Sequence, residues 1–174
     1  MRTRGMIVLT VLLSLACAAQ ASCEQPIEPL AGFAPLLGTH WMGHFVSLPA
    51  PPFEHFITWD LALSGQVIRW LKTVDDVGFV METYFYWDRI RETIAFVQLC
   101  NNGIHGTGVA EVADDTLTLL GVAMQPSGAI EFRQTFEQLE DGALVDRYDT
   151  RAGDAWSPEH VIVYTLVPEE GTEP

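Results

Sequence analysis

Positive charge is scarce in this sequence. Its 174 residues carry nine Lys and Arg against 23 Asp and Glu, a formal net charge of −14. Nucleic-acid phosphates and anionic membrane surfaces recruit Lys and Arg, so a chain this acidic is not expected to bind either. Cysteine is sparse as well, at three. The usual devices of nucleophilic catalysis are missing: no Gly-x-Ser-x-Gly elbow occurs, and Cys100 lies in an apolar run with no histidine nearby in sequence. Gly103, Gly106 and Gly108 precede no helix, so they form no phosphate loop. There is also no His-x-His pair. His40 and His44 share a strand face, but four residues of strand span about 13 Å, too far for two nitrogens that must each lie about 2 Å from one zinc. A cross-strand pair such as His44 with His55 stays open. Linkers, repeats and charge blocks are absent, which leaves one domain, and no segment after the first twenty residues is long and apolar enough to span a bilayer.

What is present begins with an export signal. Arg2 and Arg4 precede an apolar run from Met6 to Ala16, and Ala19-Gln20-Ala21 places small residues at the −3 and −1 positions of a cleavage site. Residues 1–21 therefore read as a signal peptide, with a mature chain starting at Ser22 that is two units more acidic still. Lipidation at Cys17 or Cys23 is the lesser alternative, because Ser14 and Gln20 stand where such a signal favours Leu. The expected location is the periplasm or the exterior. There, Cys23 and Cys100 are a candidate disulfide, or two separate thiols.

Residues 22–38 read as an N-terminal arm with a helical turn or two near Leu30 to Leu37, 39–168 as a β domain, and 169–174 as a tail. The β domain shows period-two patterning punctuated by turn residues. Strands are expected over 39–47, 53–63, 66–73, 79–87, 92–100, 104–113, 116–124, 129–139, 143–151 and 160–167. Asn101-Asn102-Gly103 is the strongest hairpin signal, since Asn and Gly tolerate positive φ. The last two strands are expected to be joined by a longer loop containing Gly153 and Pro158. Parallel pairing needs crossovers of a dozen or more residues, and none exists. The fold class is all-β: an antiparallel up-and-down barrel of about ten strands, with eight as the alternative.

Leu36-Leu37-Gly38-Thr39-His40-Trp41-Met42-Gly43, at the start of the first strand, resembles the Gly-x-Trp opening of lipocalin-like (calycin) barrels, a superfamily that includes fatty-acid-binding proteins, avidins and nitrobindin-like haem barrels. Thr58-Trp59-Asp60 and Tyr86-Trp87-Asp88 are similar to segments of secreted bacterial lipocalin-like domains. Thr39 and His40 both intervene between Gly38 and Trp41, so the spacing departs from the plain motif and the subfamily stays open. The resemblance implies a small hydrophobic or amphipathic ligand inside the barrel.

Which strand face points inward is not legible, so the candidate ligand-binding residues are those of either face with the right chemistry: Trp59, Arg69, Glu82, Tyr84, Arg133, Arg147 and Tyr164. An inward Arg offers a bidentate fork for a carboxylate. If outward, each Arg would pair with an acid on the neighbouring strand. Trp41 is read as a barrel-end plug. A ligand barrel in the cell envelope is favoured over a filled barrel acting as an interaction module. An enzyme using Glu82 as proton acceptor, or a haem barrel with His160 as axial ligand, ranks lower. No cofactor, catalytic residue or metal is expected, and the oligomeric state is open.

Overall fold

The computed structural model describes residues 25–46 and 53–168. The expected signal peptide (1–21), Cys23 and the expected tail (169–174) lie outside the described residues. Ten strands run β1 His40–Phe45, β2 His55–Ala62, β3 Val67–Val74, β4 Phe79–Asp88, β5 Thr93–Cys100, β6 His105–Ala113, β7 Thr116–Gln125, β8 Gly128–Gln138, β9 Leu144–Ala152 and β10 Ala155–Leu166. Each pairs antiparallel with its sequence neighbours, and β1 pairs with β10 to close the barrel. Closure leaves no long unpaired edge, which is how an all-antiparallel sheet avoids edge-to-edge association.

The turns follow from their residues. Gly65, Gly78, Gly103, Gly142 and Gly153 all take positive φ in the connections, a region L-residues avoid and glycine enters freely. The expected long loop before the last strand is instead a tight Gly153-Asp154 hairpin. β10 starts at Ala155, and Pro158 sits within it beside a register shift between Pro158 and His160. A proline lacks the N–H a regular ladder needs, so it is accommodated at the irregularity rather than ending the strand.

The barrel has two unlike ends. Glu28–Leu36 forms a 3-10 helix that enters with Pro29 in its first turn and buries Leu30, Phe33 and Leu36. It contacts β3, β4 and β6, and the preceding chain is tied to the β2–β3 turn by Ile27 N–H donating to the Gly65 carbonyl at 3.0 Å. This arm closes one end. Beneath it Trp59 stacks on Trp70 (centroids 5.5 Å apart, 12° between planes), and Phe136 meets both edge-on. Phe33 reaches down from the arm onto Phe85, at 4.9 Å. Such offset and edge-to-face contacts suit aromatic quadrupoles, and the rings bury large apolar areas. Trp41 is also buried, its Nε1 donating to Thr39 Oγ1 at 2.7 Å. The opposite end, where β1, β3, β5, β7 and β9 finish, carries no such plug among the described residues.

Gly43 shows why the first strand needs its small residue. A Cβ there would lie 2.4 Å from Tyr164 Cδ1 on the paired β10. The Tyr164 ring occupies the space over Gly43, and any larger residue would displace it.

Candidate functional site

The inward faces are set by the alternation of burial. On β3 these are Ile68, Trp70, Lys72 and Val74; on β9, Leu144, Asp146 and Tyr148. Climbing from the plugged end, aromatic rings give way to a polar layer and then to an open cavity. The polar layer holds Lys72, Asp146, Gln134, Gln98 and Thr83, all buried. Above it a cavity of about 370 Å³ opens at the unplugged end, lined by Phe45, Phe53, Phe79, Met81 and Val74 toward the mouth and by Lys72, His55, His160, Gln98 and Gln134 at depth. A volume of this size suits a small-molecule site.

The polar layer is only partly satisfied. Gln134 Nε2 donates to Asp146 Oδ1 at 2.8 Å and Gln98 Nε2 to Thr83 Oγ1 at 3.4 Å. Lys72 Nζ lies 3.7 Å from Asp146 Oδ2, with the two residues 7% and 0% exposed. That is a Coulombic pair rather than a tight hydrogen bond, and Asp146 Oδ2 has no hydrogen-bond partner among the described residues. Neither ring nitrogen of His55 has one among the described residues either, and the residue is only 4% exposed. Buried polar atoms are normally paired, and an unpaired one costs on the order of 1–3 kcal/mol. Two of these atoms, the ring nitrogens of His55, belong to the cavity wall, and Asp146 Oδ2 lies beside the cavity-lining Lys72.

Burial also sets the charge states. It pushes the Lys72 ammonium down from its ordinary range and the Asp146 carboxyl up, each drawn back in part by the other. Burial, with the nearby Lys72 charge, holds His55 and His160 down at about 4, so both imidazoles are neutral at pH 7. His160 is further fixed by stacking on Tyr148 (5.2 Å, 10°) and by the edge of Phe45. Burial raises the Tyr148 phenol to about 12.

The residues singled out from sequence divide sharply. Trp59 and Tyr164 point inward and are fully buried, but they sit beneath the cavity, in its packed floor, and do not line it. The Tyr164 hydroxyl has no hydrogen-bond partner among the described residues. Arg69, Glu82, Tyr84, Arg133 and Arg147 all lie on the outer wall, because each alternates with a large inward neighbour. Arg69 pairs with Asp60 directly across the β2–β3 ladder at 2.8 Å, and Arg133 with Asp149 across β8–β9 at 2.6 Å. Arg147 lies 3.7 Å from Glu137, and the Tyr84 hydroxyl donates to Glu82. None of the three arginines enters the barrel, and Glu82 faces solvent rather than a cavity. Cross-strand pairing on the outer face accounts for the three arginines, and a contact two residues apart along β4 for Glu82 and Tyr84.

Cys100 lines the cavity near its mouth as a free thiol, and burial raises its pKa. Its proposed partner Cys23 is outside the described residues, while Gln25 lies at the opposite, plugged end, its carbonyl against Gly65. His44 is exposed on the outer face and His55 turns inward, so the two do not converge. Among the described residues no three His, Cys, Asp or Glu side chains gather as a metal-ligand set.

Sequence reasoning missed Lys72, Gln98, Gln134 and His55 as cavity residues, and Asp146 as the buried partner of Lys72. A signal for the first was available: Lys72 is the sole lysine in the chain, and it alternates with Trp70 and Val74 rather than with polar residues.

Comparison with known proteins adds the fold. No protein-family model matches the chain, and no curated protein does. Among solved structures, the crystal structure of Rv2717c from M. tuberculosis superposes with a TM-score of 0.51 and 16% sequence identity, covering 82% of this chain and 98% of that one. At that identity the likeness speaks for the fold alone.

Proposed function

We propose that this protein is an exported small-molecule-binding barrel whose ligand is amphipathic, with its apolar body in the mouth and its polar end in the Lys72–Asp146–His55 layer. One observation carries the reading: a cavity of about 370 Å³ with aromatic and aliphatic upper walls and orphaned polar atoms at its base. A barrel serving only as an interaction module would gain nothing from leaving such a cavity in its interior, since interiors are otherwise packed to crystal density. The plugged half, with its stacked tryptophans, is the rigid platform on which the cavity rests.

The head group is constrained by charge. With both histidines neutral at pH 7, Lys72 and Asp146 cancel, and a carboxylate entering beside them would place two anions against one cation. Neutral heads bearing hydrogen-bonding oxygen fit better than fatty-acid carboxylates.

The test is titration with the neutral fluorophore N-phenyl-1-naphthylamine. Saturable 1:1 enhancement is expected, displaced by long-chain alcohols and lost in Ala123→Trp, which fills the cavity from β7. Unsaturable enhancement, or binding unchanged in Ala123→Trp with native circular dichroism, would overturn the reading.

A further inference from the structure

Of nine basic residues eight are arginine, and all five arginines of the barrel strands and the β4–β5 turn that form ion pairs do so outside the barrel, on Asp60, Asp88, Asp149, Glu137 and Glu131. The one lysine is inside. Arginine supplies a permanent charge, whereas lysine can give up its proton and become a nucleophilic amine. Lys72 is also placed for such a role. Its side chain rises from β3 into the base of the cavity, and its sole ion-pair partner among the described residues is Asp146, at 3.7 Å.

We propose that Lys72 captures carbonyl compounds covalently: its Nζ condenses with the aldehyde or ketone carbon of an apolar molecule seated in the cavity, forming an imine. The proposal rests on the reading that an apolar molecule enters the cavity, and it names the head group.

The chemistry balances without any oxidant or reductant. The ammonium first gives a proton to a neighbouring base. Its lone pair then forms the C–N bond while the carbonyl π pair moves to oxygen, which takes up a proton. The nitrogen sheds its second proton, the C–O bond of the carbinolamine breaks, and oxygen leaves as water. A C=N bond remains, bearing one proton as the iminium. In sum, one carbonyl and one ammonium give one iminium and one water.

Each need of that sequence has a group nearby. Burial favours the neutral amine of Lys72, the form that attacks. Asp146 Oδ2, 3.7 Å from Lys72 Nζ and with its carboxyl pushed up by burial, can take the protons that nitrogen sheds and return them to the departing oxygen. Asp146, held by Gln134, remains as counterion to the iminium. The charge count in the cavity is therefore the same before and after reaction. That is the advantage of a neutral carbonyl over a carboxylate, which would add an unpaired anion to a buried site.

The experiment uses trans-cinnamaldehyde, with cinnamyl alcohol as its non-condensing control. Protein is incubated with the aldehyde and sodium cyanoborohydride, and the adduct is located by peptide mapping. The competing amine is the α-amino group. A single adduct on Lys72, formed at least tenfold faster than on the α-amino group, is expected. The Lys72→Met/Asp146→Asn double variant, which removes both charges together, should lose it while still binding the alcohol. If aldehyde and alcohol both bind the wild-type cavity and Lys72 stays unmodified, covalent capture is wrong and the binding reading survives. If neither binds, both fall.

Discussion

Lowering the pH from 7 to 5 is expected to destabilise the barrel through His55 and His160. Both have folded-state pKa values held at about 4, against an ordinary 6.5. A base with a depressed folded pKa is protonated in the unfolded chain first, so stability is full above about 6.5 and drains away as pH falls toward 4. Linkage with these values gives about 1.8 kcal/mol lost per histidine between pH 7 and 5, and about 3.7 kcal/mol for the pair as an upper bound. Asp146 acts in the opposite sense, since its raised carboxyl pKa makes the folded state bind a proton earlier than the unfolded one. Easing of the chain's acidic self-repulsion also favours the folded state on acidification. A difference measurement removes both: urea unfolding of wild type and of His55→Leu/His160→Phe at the two pH values. The wild type is expected to lose about 2–3.5 kcal/mol more than the double variant over this interval. Equal losses in the two proteins would refute the assignment of neutral, desolvated imidazoles to the cavity.

Two further outcomes follow from the interior. Lys72→Met alone should cost about 3–5 kcal/mol in chemical denaturation because it strands the buried Asp146 carboxylate, while Lys72→Met/Asp146→Leu should recover most of that; a single variant as stable as wild type would mean the pair is not desolvated. Phe33→Ala should cost about 3–5 kcal/mol by emptying the plug above Phe85 and Trp59, yet leave N-phenyl-1-naphthylamine affinity nearly unchanged because the cavity lies at the other end. A loss of affinity matching the loss of stability would show the two ends to be coupled.

Much of the fold was legible because local signals and architecture agree. Asn101-Asn102-Gly103 and Glu140-Asp141-Gly142 mark turns through the φ freedom of glycine, and the short connections exclude parallel pairing. The start of β10 was not legible, because Pro158 ordinarily ends a strand and only the register shift beside it keeps this one going. The site was harder to read for a physical reason. Both faces of several strands carry apolar residues: on β3, Val67 and Leu71 flank Arg69 on the outside, while Ile68 and Trp70 precede Lys72 on the inside. With hydrophobic groups on either face, alternation reports a strand without reporting its orientation. The arginines drew attention because their chemistry suits ligands, but their acid partners sit on neighbouring strands, at positions only the register reveals. Asp146 and Gln134 likewise meet only when β8 and β9 are aligned.

The most direct test of a ligand-binding barrel is native mass spectrometry of the full chain, expressed with residues 1–21 in place and directed to a periplasm, and purified without detergent. We predict a discrete added mass in 1:1 proportion, which organic extraction identifies as a neutral amphipathic molecule and which Ala123→Trp abolishes. A clean apo mass in wild-type protein that also fails to take up N-phenyl-1-naphthylamine would contradict the assignment of the cavity as a binding site.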